Sequence, residues 1–306
     1  MDWLQRYVIS IDIGATKTSW GLVASSSHEV VRFHVEPTPR EESQVLSTLL
    51  HGIAMVGGHQ LVGSIDAIVL GIPGVVRGDG QILKCPNISV LEHVNFRELE
   101  QALAIPVHIV RDVIMATVGD WHASCPSGED MVAMYIGSGI GVGYVIDGLV
   151  RSGWHGVGGE VGHWTVVPDG DRCSCGQRGC LETVASGESL RRAASRLGHD
   201  GADGVSCLMQ GWLTGSAHEK AVVDTAIYYI SLTLANLVKL LDPGRVVLGG
   251  GVIDRNPLLV RSISHRIQLF TEPLGLIPVS ITSSTLGNQS PLIGGSWLVP
   301  STAGRN

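Results

Sequence analysis

The sequence predicts an α/β protein built from two lobes. Hydrophobic residues make up 44% of the 306 residues, aromatic residues only 5%, and glycines number 40. This composition favours an α/β protein with many tight turns over a disordered or fibrous chain. A strand, a glycine-containing turn and a second strand occur at 6–24 and again at 132–146, about 125 residues apart. The repetition suggests two lobes of related construction, and the chain is long enough for two cores.

Charge and cysteine usage narrow the class of protein. The net charge of −7 and the pI near 5.9 argue against a nucleic-acid partner, because no basic stripe is available to neutralise phosphates. Asp12 interrupts the first apolar run, so no signal peptide is expected. Clustered cysteines in a chain without export signals are typical of a reducing cytoplasm. We therefore expect a cytoplasmic protein with a small-molecule ligand and no membrane partner.

The first predicted turn carries polar groups suited to a phosphate. Strands at 6–13 and 18–24 flank it, and it contains Asp12, Gly14, Thr16 and Lys17. Backbone N–H groups and a hydroxyl can face a phosphate, while Asp12 can hold a hydrated Mg²⁺. An ordinary strand turn with a surface lysine has the same composition, so this turn alone is weak evidence.

The second predicted turn strengthens the first. A strand at 132–136 leads into Gly137, Ser138 and Gly139, and a return strand follows at 142–146. Two such turns, one in each predicted lobe, indicate two phosphate-facing loops.

Between the two turns, the sequence predicts three further strands and three helices. The strands lie at 30–35, 65–72 and 107–110, and the helices at 41–56, 96–103 and 113–123. The strand at 107–110 places Arg111 and Asp112 at its carboxyl end, where ligands of open α/β sheets bind. Asp112 could accept a hydroxyl proton in phosphoryl transfer. From the residues alone, capping of the next helix explains Asp112 at least as well.

A histidine and three cysteines predict a zinc site. Cys173, Cys175 and Cys180 form a C-x-C-x4-C array, and His163 lies ten residues before the first cysteine. Three thiolates and one imidazole are ligands that tetrahedral zinc prefers, and four protein ligands leave no position for a catalytic water. A disulfide pair with a buried free thiol is the alternative, but three cysteines within eight residues favour a closed structural zinc site.

Two acids flank this segment, Glu160 before His163 and Glu182 after Cys180. If zinc fixes the two ligands, it also fixes where these carboxylates point. Preorganised carboxylates suit a polyol, because they accept hydrogen bonds from hydroxyls and lose little entropy on binding. A solvated surface position is the alternative for both.

The last third of the chain predicts mainly helices. Helices are expected at 183–197, 217–241 and 257–269, with a loop at 198–204. The long helix has apolar residues at a period of 3.6 and ends at 242–244. A strand at 245–248 then leads to Gly249, Gly250 and Gly251, which would let a base or ribose approach the backbone. These glycines could equally form a plain turn, and a last strand at 277–283 precedes a closing helical segment at 286–295.

The histidine–cysteine segment with its flanking acids resembles the signature of the ROK family of sugar kinases, repressors and related proteins, in the actin, Hsp70 and sugar-kinase superfamily. The resemblance implies a two-lobed actin-like (ribonuclease H-like) ATPase fold with ATP bound between the lobes. The lobes are expected at 1–115 with 290–306, and at 116–289. The resemblance assigns the candidate site residues as follows: catalytic base Asp112; sugar ligands Asn87, Arg111, Glu160, His163 and Glu182; ATP and Mg²⁺ ligands Asp12, Gly14, Thr16, Lys17, Gly137, Ser138, Gly139, Gly249, Gly250 and Gly251; zinc ligands His163, Cys173, Cys175 and Cys180.

The sequence departs from the family pattern at three places. Ala15 replaces a glycine in the first turn, Arg111 replaces an asparagine, and the segment 86–91 ends in Leu91 instead of tryptophan. Arg111 could pair with an acid of the protein, read a different substrate group or lower the pKa of Asp112. From Arg111 and the missing tryptophan we expect an altered sugar-binding face and an uncommon sugar, while the methyl group of Ala15 would slightly crowd the nucleotide.

The resemblance implies an ATP- and Mg²⁺-dependent kinase that phosphorylates a primary hydroxyl, the 6-position, of a hexose or hexose-like polyol. Glucose, N-acetylmannosamine, N-acetylglucosamine, fructose, an amino sugar such as kanosamine and a C7 cyclitol all remain open. A sugar-responsive regulator is disfavoured, since repressors of the family carry a helix-turn-helix domain and only about seven residues precede the first predicted strand. A non-catalytic sugar sensor is a further alternative. The family also implies a homodimer or homotetramer.

Overall fold

A computed structural model describes residues 5–57, 60–201, 203–276 and 278–299. Strands and helices alternate along the chain, as the sequence predicts for an α/β protein. The strands are β1 (Tyr7–Ile13), β2 (Lys17–Ala24), β3 (Val30–Pro37), β4 (Ile65–Ile72), β5 (Val75–Val76), β6 (Ile82–Lys84), β7 (Val107–Arg111), β8 (Met131–Ile136), β9 (Ile140–Ile146), β10 (Leu149–Val150), β11 (Arg245–Gly249) and β12 (Ser280–Ser283). The α-helices are α1 (Glu42–Met55), α2 (Arg97–Leu103), α3 (Asp112–Ser124), α4 (Leu181–Ala185), α5 (Gly187–Arg196), α6 (Gly204–Thr214), α7 (Ala217–Leu241), α8 (Gly251–Arg255), α9 (Leu258–Thr271) and α10 (Ser290–Trp297).

The chain divides into two compact units, each with its own sheet. The first unit contains residues 5–124, 150–158 and 288–299, and the second contains 125–149 and 159–287, within the described ranges. The predicted lobe boundary after residue 115 falls inside α3, which belongs entirely to the first unit. That boundary stays a prediction about folding domains.

The sheet of the first unit has five strands in the order β3-β2-β1-β4-β7. β1 pairs antiparallel with β2 and parallel with β4, and β4 pairs parallel with β7. The carboxyl ends of β1, β4 and β7 therefore lie at one edge. The largest core of this unit contains Ile9, Ile11 and Trp20 from the sheet and Leu49 and Ile53 from α1.

The sheet of the second unit repeats this plan in the order β10-β9-β8-β11-β12. β8 pairs antiparallel with β9 and parallel with β11, so β8 and β11 take the places that β1 and β4 take in the first sheet. The repeated strand–turn–strand unit of the sequence thus corresponds to two sheets with the same strand order.

Helix α7 runs through the core of the second unit. Ala217–Leu241 is long and apolar enough to cross a membrane by length and composition, but 56% of its most apolar window is buried inside the protein. Val223, Ile230 and Leu234 pack in the same core as Val246 and Leu248 of β11. The helix is therefore a core element and not a membrane span.

The structure corrects several element predictions. The single helix predicted at 183–197 is two helices, because Ser186 is extended and its hydroxyl accepts a hydrogen bond from the Ser189 N–H at the start of α5. A capped start of this kind begins a new helix. Helix α6 was not predicted. Residue 277, the expected start of the last strand, lies outside the described residues, and β12 begins at Ser280.

Candidate active site

The segment that follows β3 donates hydrogen bonds to the carbonyls of the turn between β1 and β2. Thr38 donates its hydroxyl to the Gly14 carbonyl at 2.7 Å and its N–H to the Thr16 carbonyl at 3.2 Å. Arg40 donates from Nη2 to the Ala15 carbonyl at 2.6 Å. Three successive carbonyls of the turn thus accept hydrogen bonds from 38–40, and the Gly14 N–H donates to the Lys17 carbonyl at 3.0 Å, so the turn has a fixed conformation.

Asp12 and Asp112 come together at the carboxyl edge of the first sheet. Asp12 pairs in register with Gly71 of β4, and a Cβ on Gly71 would lie 3.2 Å from the Asp112 Cα. The missing side chain therefore allows the start of α3 to approach the sheet closely. Burial, and secondly the charge of Asp112, raise the pKa of Asp12 to about 7, while Lys17 opposes the shift.

Asp112 begins α3, and its Oδ1 accepts a hydrogen bond from the Val113 N–H at 2.7 Å. This bond joins adjacent residues, whereas a helix cap bonds the N–H two or three positions further along, so capping by Asp112 stays a prediction. A carboxylate at a helix N-terminus also experiences the positive end of the helix dipole. The start of a helix and proximity to Asp12 thus both act on this side chain.

Two departures from the family pattern serve packing in this chain. Arg111 is only 5% exposed and donates from Nη1 to the Gly158 carbonyl at 2.5 Å, so it anchors the segment 150–158 of the same unit. Leu91 is 1% exposed and belongs to the first core. Asn87 is exposed on the same segment as Leu91. Leucine at residue 91 is thus a core side chain, and the expectation of an uncommon sugar stays a prediction.

The second turn lies beside the glycine triplet in the second unit. Gly250 follows β11 with φ of 87°, and a Cβ there would lie 2.7 Å from the backbone N and O of Ile136, the last residue of β8. Only glycine combines this left-handed φ with so close an approach. The predicted phosphate turn at 137–139 and the predicted adenosine-binding glycines at 249–251 are therefore neighbours.

The second turn is also fixed by hydrogen bonds, in this case to residues of α4 and α5. The Gly187 N–H donates to the Gly137 carbonyl at 2.8 Å, and the Glu188 N–H donates to the Ser138 carbonyl at 3.3 Å. Oε2 of Glu182 accepts from the Ile140 N–H at 3.0 Å. Glu182, predicted as a sugar ligand, therefore also fixes the end of the phosphate turn.

The predicted zinc ligands lie together. One ligand atom each of His163, Cys173, Cys175 and Cys180 lies within 4.8 Å of all the others. The Cys173 Sγ is 3.5 Å from the His163 Nδ1, and the Cys175 and Cys180 Sγ atoms are 3.6 Å apart. Ligands on a tetrahedral zinc are separated by roughly 3.5 to 3.8 Å, so these donors fit the ion in type and spacing.

Burial and the crowded thiols favour the protonated form of Cys180. Burial, followed by hydrogen bonding to the neighbouring thiols Cys175 and Cys173, raises the pKa of the Cys180 thiol to about 12. A bound divalent cation would reverse this shift, because it deprotonates coordinating thiols. On the other side of the ring, the His163 Nε2 is 3.8 Å from the Glu160 carboxylate. A carboxylate in this place orients a metal-binding imidazole.

Sequence reasoning did not identify the residues behind the two turns. Thr38 and Arg40 donate from side chains, and Gly187 and Glu188 donate from backbone N–H groups, but all four bond backbone carbonyls of the turns, which leave no pattern in residue types. The available signals were indirect. Thr38 follows a strand that pairs with β2, and Ser186 is a helix-capping residue type.

The fold of this chain is similar to that of a solved sugar kinase. The crystal structure of a ROK family glucokinase from Streptomyces griseus in complex with glucose and AMPPNP has a TM-score of 0.82 and 26% sequence identity, covering 96% of this chain and 99% of that one. The overall fold is accordingly the two-lobed α/β fold of sugar kinases.

Curated relatives agree with the fold. Glucokinase from Halalkalibacterium halodurans is 30% identical over 96% of this chain and 95% of its own length. N-acetylmannosamine kinase from Vibrio cholerae is 26% identical over 80% of this chain and 83% of its own length. Fold and relatives together define this chain as a carbohydrate kinase. The ROK family model matches residues 8–302, and the chain belongs to the ROK family.

Proposed function

We propose that this chain transfers the γ-phosphoryl group of ATP to a primary hydroxyl, the 6-position, of a hexose or hexose-like sugar, with Asp112 as general base. The observation that supports this most directly is the placement of Asp112 beside Asp12 and the first turn, at the carboxyl edge of three parallel strands. Phosphoryl transfer depends mainly on positioning and electrostatics, and an aspartate that accepts the hydroxyl proton is the recurrent protein contribution.

Each unit would contribute nucleotide-binding residues of its own. In the first unit, Gly14, Thr16 and Lys17 would bind phosphate, and Asp12 would hold Mg²⁺ through water. In the second, the turn 137–139 would bind phosphate and the glycines 249–251 would contact adenosine. This proposal is supported by the hydrogen bonds that the carbonyls of each turn accept from another segment of the same unit. Bound Mg²⁺ would neutralise charge on the phosphates.

Zinc would have a structural role. His163, Cys173, Cys175 and Cys180 would hold it with four protein ligands, which leaves no open position for a reacting water. The ion would order His163 with Glu160, and Cys180 with Glu182. We propose that these acids and His163 orient the sugar ring, together with Asn87 and Arg111.

The sugar itself remains a set of candidates. Glucose and N-acetylmannosamine come first, because relatives bear the names of kinases for these sugars. An amino sugar or a C7 cyclitol is supported by the two departures from the family pattern on the sugar side, Arg111 and the missing tryptophan at Leu91. We also propose a cytoplasmic homodimer or homotetramer with lobes at 1–115 plus 290–306 and at 116–289.

The test of this function is a comparison of Asp112→Asn with the wild type in an assay of sugar-dependent ADP release. The variant keeps the shape of the side chain but cannot accept a proton. We expect its turnover to fall by about 10²- to 10⁴-fold, the usual contribution of a general base, with ATP and sugar affinities changed little. Binding is measured separately by calorimetry.

Asp79→Asn is the matched control, because Asp79 is an exposed aspartate of the same unit that pairs with Arg77. It should keep wild-type turnover. If Asp112→Asn turned over sugar at a near-normal rate, the assignment of the base would be wrong. No sugar-dependent ADP release by the wild type over glucose, N-acetylmannosamine, N-acetylglucosamine, fructose, kanosamine and a C7 cyclitol would favour a non-catalytic sugar sensor.

A further inference from the structure

Three metal-binding side chains meet on the first unit, apart from the residues assigned above. His34 and Glu36 lie two residues apart on β3 and so point to the same face of the sheet, and His51 lies on α1. The His34 Nε2 is 2.7 Å from the Glu36 Oε1, and the His51 Nε2 is 3.1 Å from the same oxygen. One ligand atom from each residue lies within 4.8 Å of the other two.

The geometry is close to that of a bound ion. Nitrogen and oxygen ligands at about 2.0 to 2.2 Å from a tetrahedral zinc are separated by roughly 3.4 Å, so the nitrogen–oxygen distances of His34 and His51 to Glu36 need to lengthen by about 0.7 and 0.3 Å. The orientation of His34 is supported by Trp20, whose ring is 5.6 Å away and tilted by 45°. Two imidazoles and a carboxylate are a ligand set that suits zinc and its first-row neighbours.

We propose that His34, Glu36 and His51 form a second metal site that takes a divalent cation of the zinc class. The side chains are 20%, 26% and 59% exposed, so ions can enter from solvent and water can complete the coordination. With three protein ligands, the site is weaker and more exchangeable than the cysteine site. No step of the proposed phosphoryl transfer depends on it.

The position of this site connects it to the first phosphate turn. β3 ends at Pro37 and α1 begins at Glu42. The residues between them include Thr38 and Arg40, which hold the carbonyls of the turn. An ion bound to β3 and α1 would therefore cross-link the two elements that flank this segment. It would reduce motion of the segment and, through it, of the turn.

Calorimetric titration of the intact protein with Zn²⁺ tests the site. The protein is first loaded with one equivalent of zinc, which the cysteine site takes, and Zn²⁺ is then added alone. We expect a second equivalent to bind. In a parallel titration with Co²⁺, the second equivalent should lack the thiolate-to-cobalt absorption bands of the cysteine site.

Three variants identify the ligands. His51→Ala removes a mostly exposed helix residue, and Glu36→Gln keeps the shape of its side chain while removing its charge. Each should weaken the second equivalent by at least about tenfold, as expected for loss of a metal-site group. His265→Ala, at an exposed histidine of α9, should not. Absence of a second equivalent, or its retention by both ligand variants, would overturn the proposal.

Amide hydrogen exchange tests the connection to the turn. The Gly14 N–H donates to Lys17 and the Thr38 N–H to Thr16. The second zinc equivalent should slow exchange of both amides in the wild type and leave His51→Ala unaffected. If zinc bound with the ligand dependence given above but changed neither amide, the metal site would stand and its connection to the turn would be wrong.

Discussion

At the scale of single residues, the carboxyl group of Asp12 has the strongest electrostatic perturbation at the site. It is buried beside Asp112, and Lys17 only partly offsets the resulting rise of its pKa to about 7. The folded protein thus keeps this proton at pH values where the unfolded chain, with the ordinary pKa of 3.8, has lost it. The stability contributed by the raised pKa is complete below about pH 4 and is lost as the pH rises through 7.

Asp12→Asn should therefore become more stable relative to the wild type as the pH rises from 5 to 7, in buffer free of divalent ions. Two pH units of unequal proton binding correspond to a gain of up to about 3 kcal/mol in relative unfolding free energy. Urea unfolding at pH 5, 6, 7 and 8 measures it. Asp79→Asn is the control. Arg77 lowers the pKa of Asp79 to about 2, so this carboxyl group is ionised in both the folded and the unfolded protein over this pH range. A difference independent of pH would contradict the raised pKa.

The residue types of the site could be chosen from the sequence, but their contacts could not. Asp12 and the four predicted zinc ligands could be chosen because residue type and spacing limit what they can do, and the four ligand side chains do lie together. Arg111 was expected to pair with an acid, read a substrate group or shift a pKa, and it also bonds a backbone carbonyl 47 residues away. Leu91 seemed to mark the sugar face and is a core residue. Both outcomes depend on tertiary packing that one sequence does not encode in a local pattern.

At the scale of elements, an aromatic stack joins three parts of the first unit. His28, in the turn after β2, and His122, on α3, stack on the indole of Trp297 in α10, with ring centroids 3.5 and 3.6 Å away. Nδ1 of His28 also lies 2.8 Å from the Ser296 hydroxyl. Burial lowers the pKa of both histidines. Protonation therefore works against this contact.

The pKa shift of His122 predicts acid sensitivity. Its folded-state pKa lies below the unfolded value of 6.5, so the unfolded chain binds more protons and stability falls as the pH falls through 6.5. His122→Phe keeps an aromatic ring in the stack and removes the titration. We expect thermal unfolding of this variant to depend less on pH between 7.5 and 5.5 than that of the wild type. His265→Phe should match the wild type, and equal pH dependence of all three proteins would argue against a role for the stack.

The periodic spacing of apolar residues made helices and strands predictable, but the ends of helices, where capping residues lie, were hard to locate. The long helix α7 and the paired strands around both turns were identified from their apolar patterns. The break at Ser186 was missed although Gly187, a weak helix former, follows it directly, and the Ser186 hydroxyl accepts a hydrogen bond at the start of α5. Helix α6 was missed because the glycine-rich stretch before it extends to Gly204, its first residue. Glycine is a weak helix former but is tolerated at a helix end.

At the scale of the whole molecule, the two units share the same strand order, and in both units another segment of the chain hydrogen-bonds to the carbonyls of the turn. Each sheet has its turn after the central strand, and each turn is held through its carbonyls by a different part of the chain. Only the second unit joins this support to the cysteine cluster, through Cys180 and Glu182. If the cysteine cluster holds zinc, as proposed, loss of the ion should therefore affect the two units unequally.

Zinc removal tests this difference. Chelation, or Cys180→Ser, should speed amide exchange at 137–140 and 181–190 and raise the KM for ATP, with little change at β1 and β2, because Glu182 and α5 hold the second turn only. Mass spectrometry of the intact protein gives the zinc content, and exchange is followed on peptides. Cys207→Ser, at an exposed cysteine of α6, should behave as wild type. Equal changes in both sheets, or none, would be evidence against this role of the cysteine cluster.

The hydrogen bonds that other segments donate to the carbonyls of each turn also affect how the protein can evolve. Thr38, Arg40 and the start of α5 contact only carbonyls of the turns in the bonds described, so a substitution there can loosen or tighten a turn while its own sequence is unchanged. Selection for a different nucleotide preference or for activity in the cold would then have two routes. Substitutions in the turns would change nucleotide binding abruptly. Substitutions in the segments that hydrogen-bond to the turns would change it gradually.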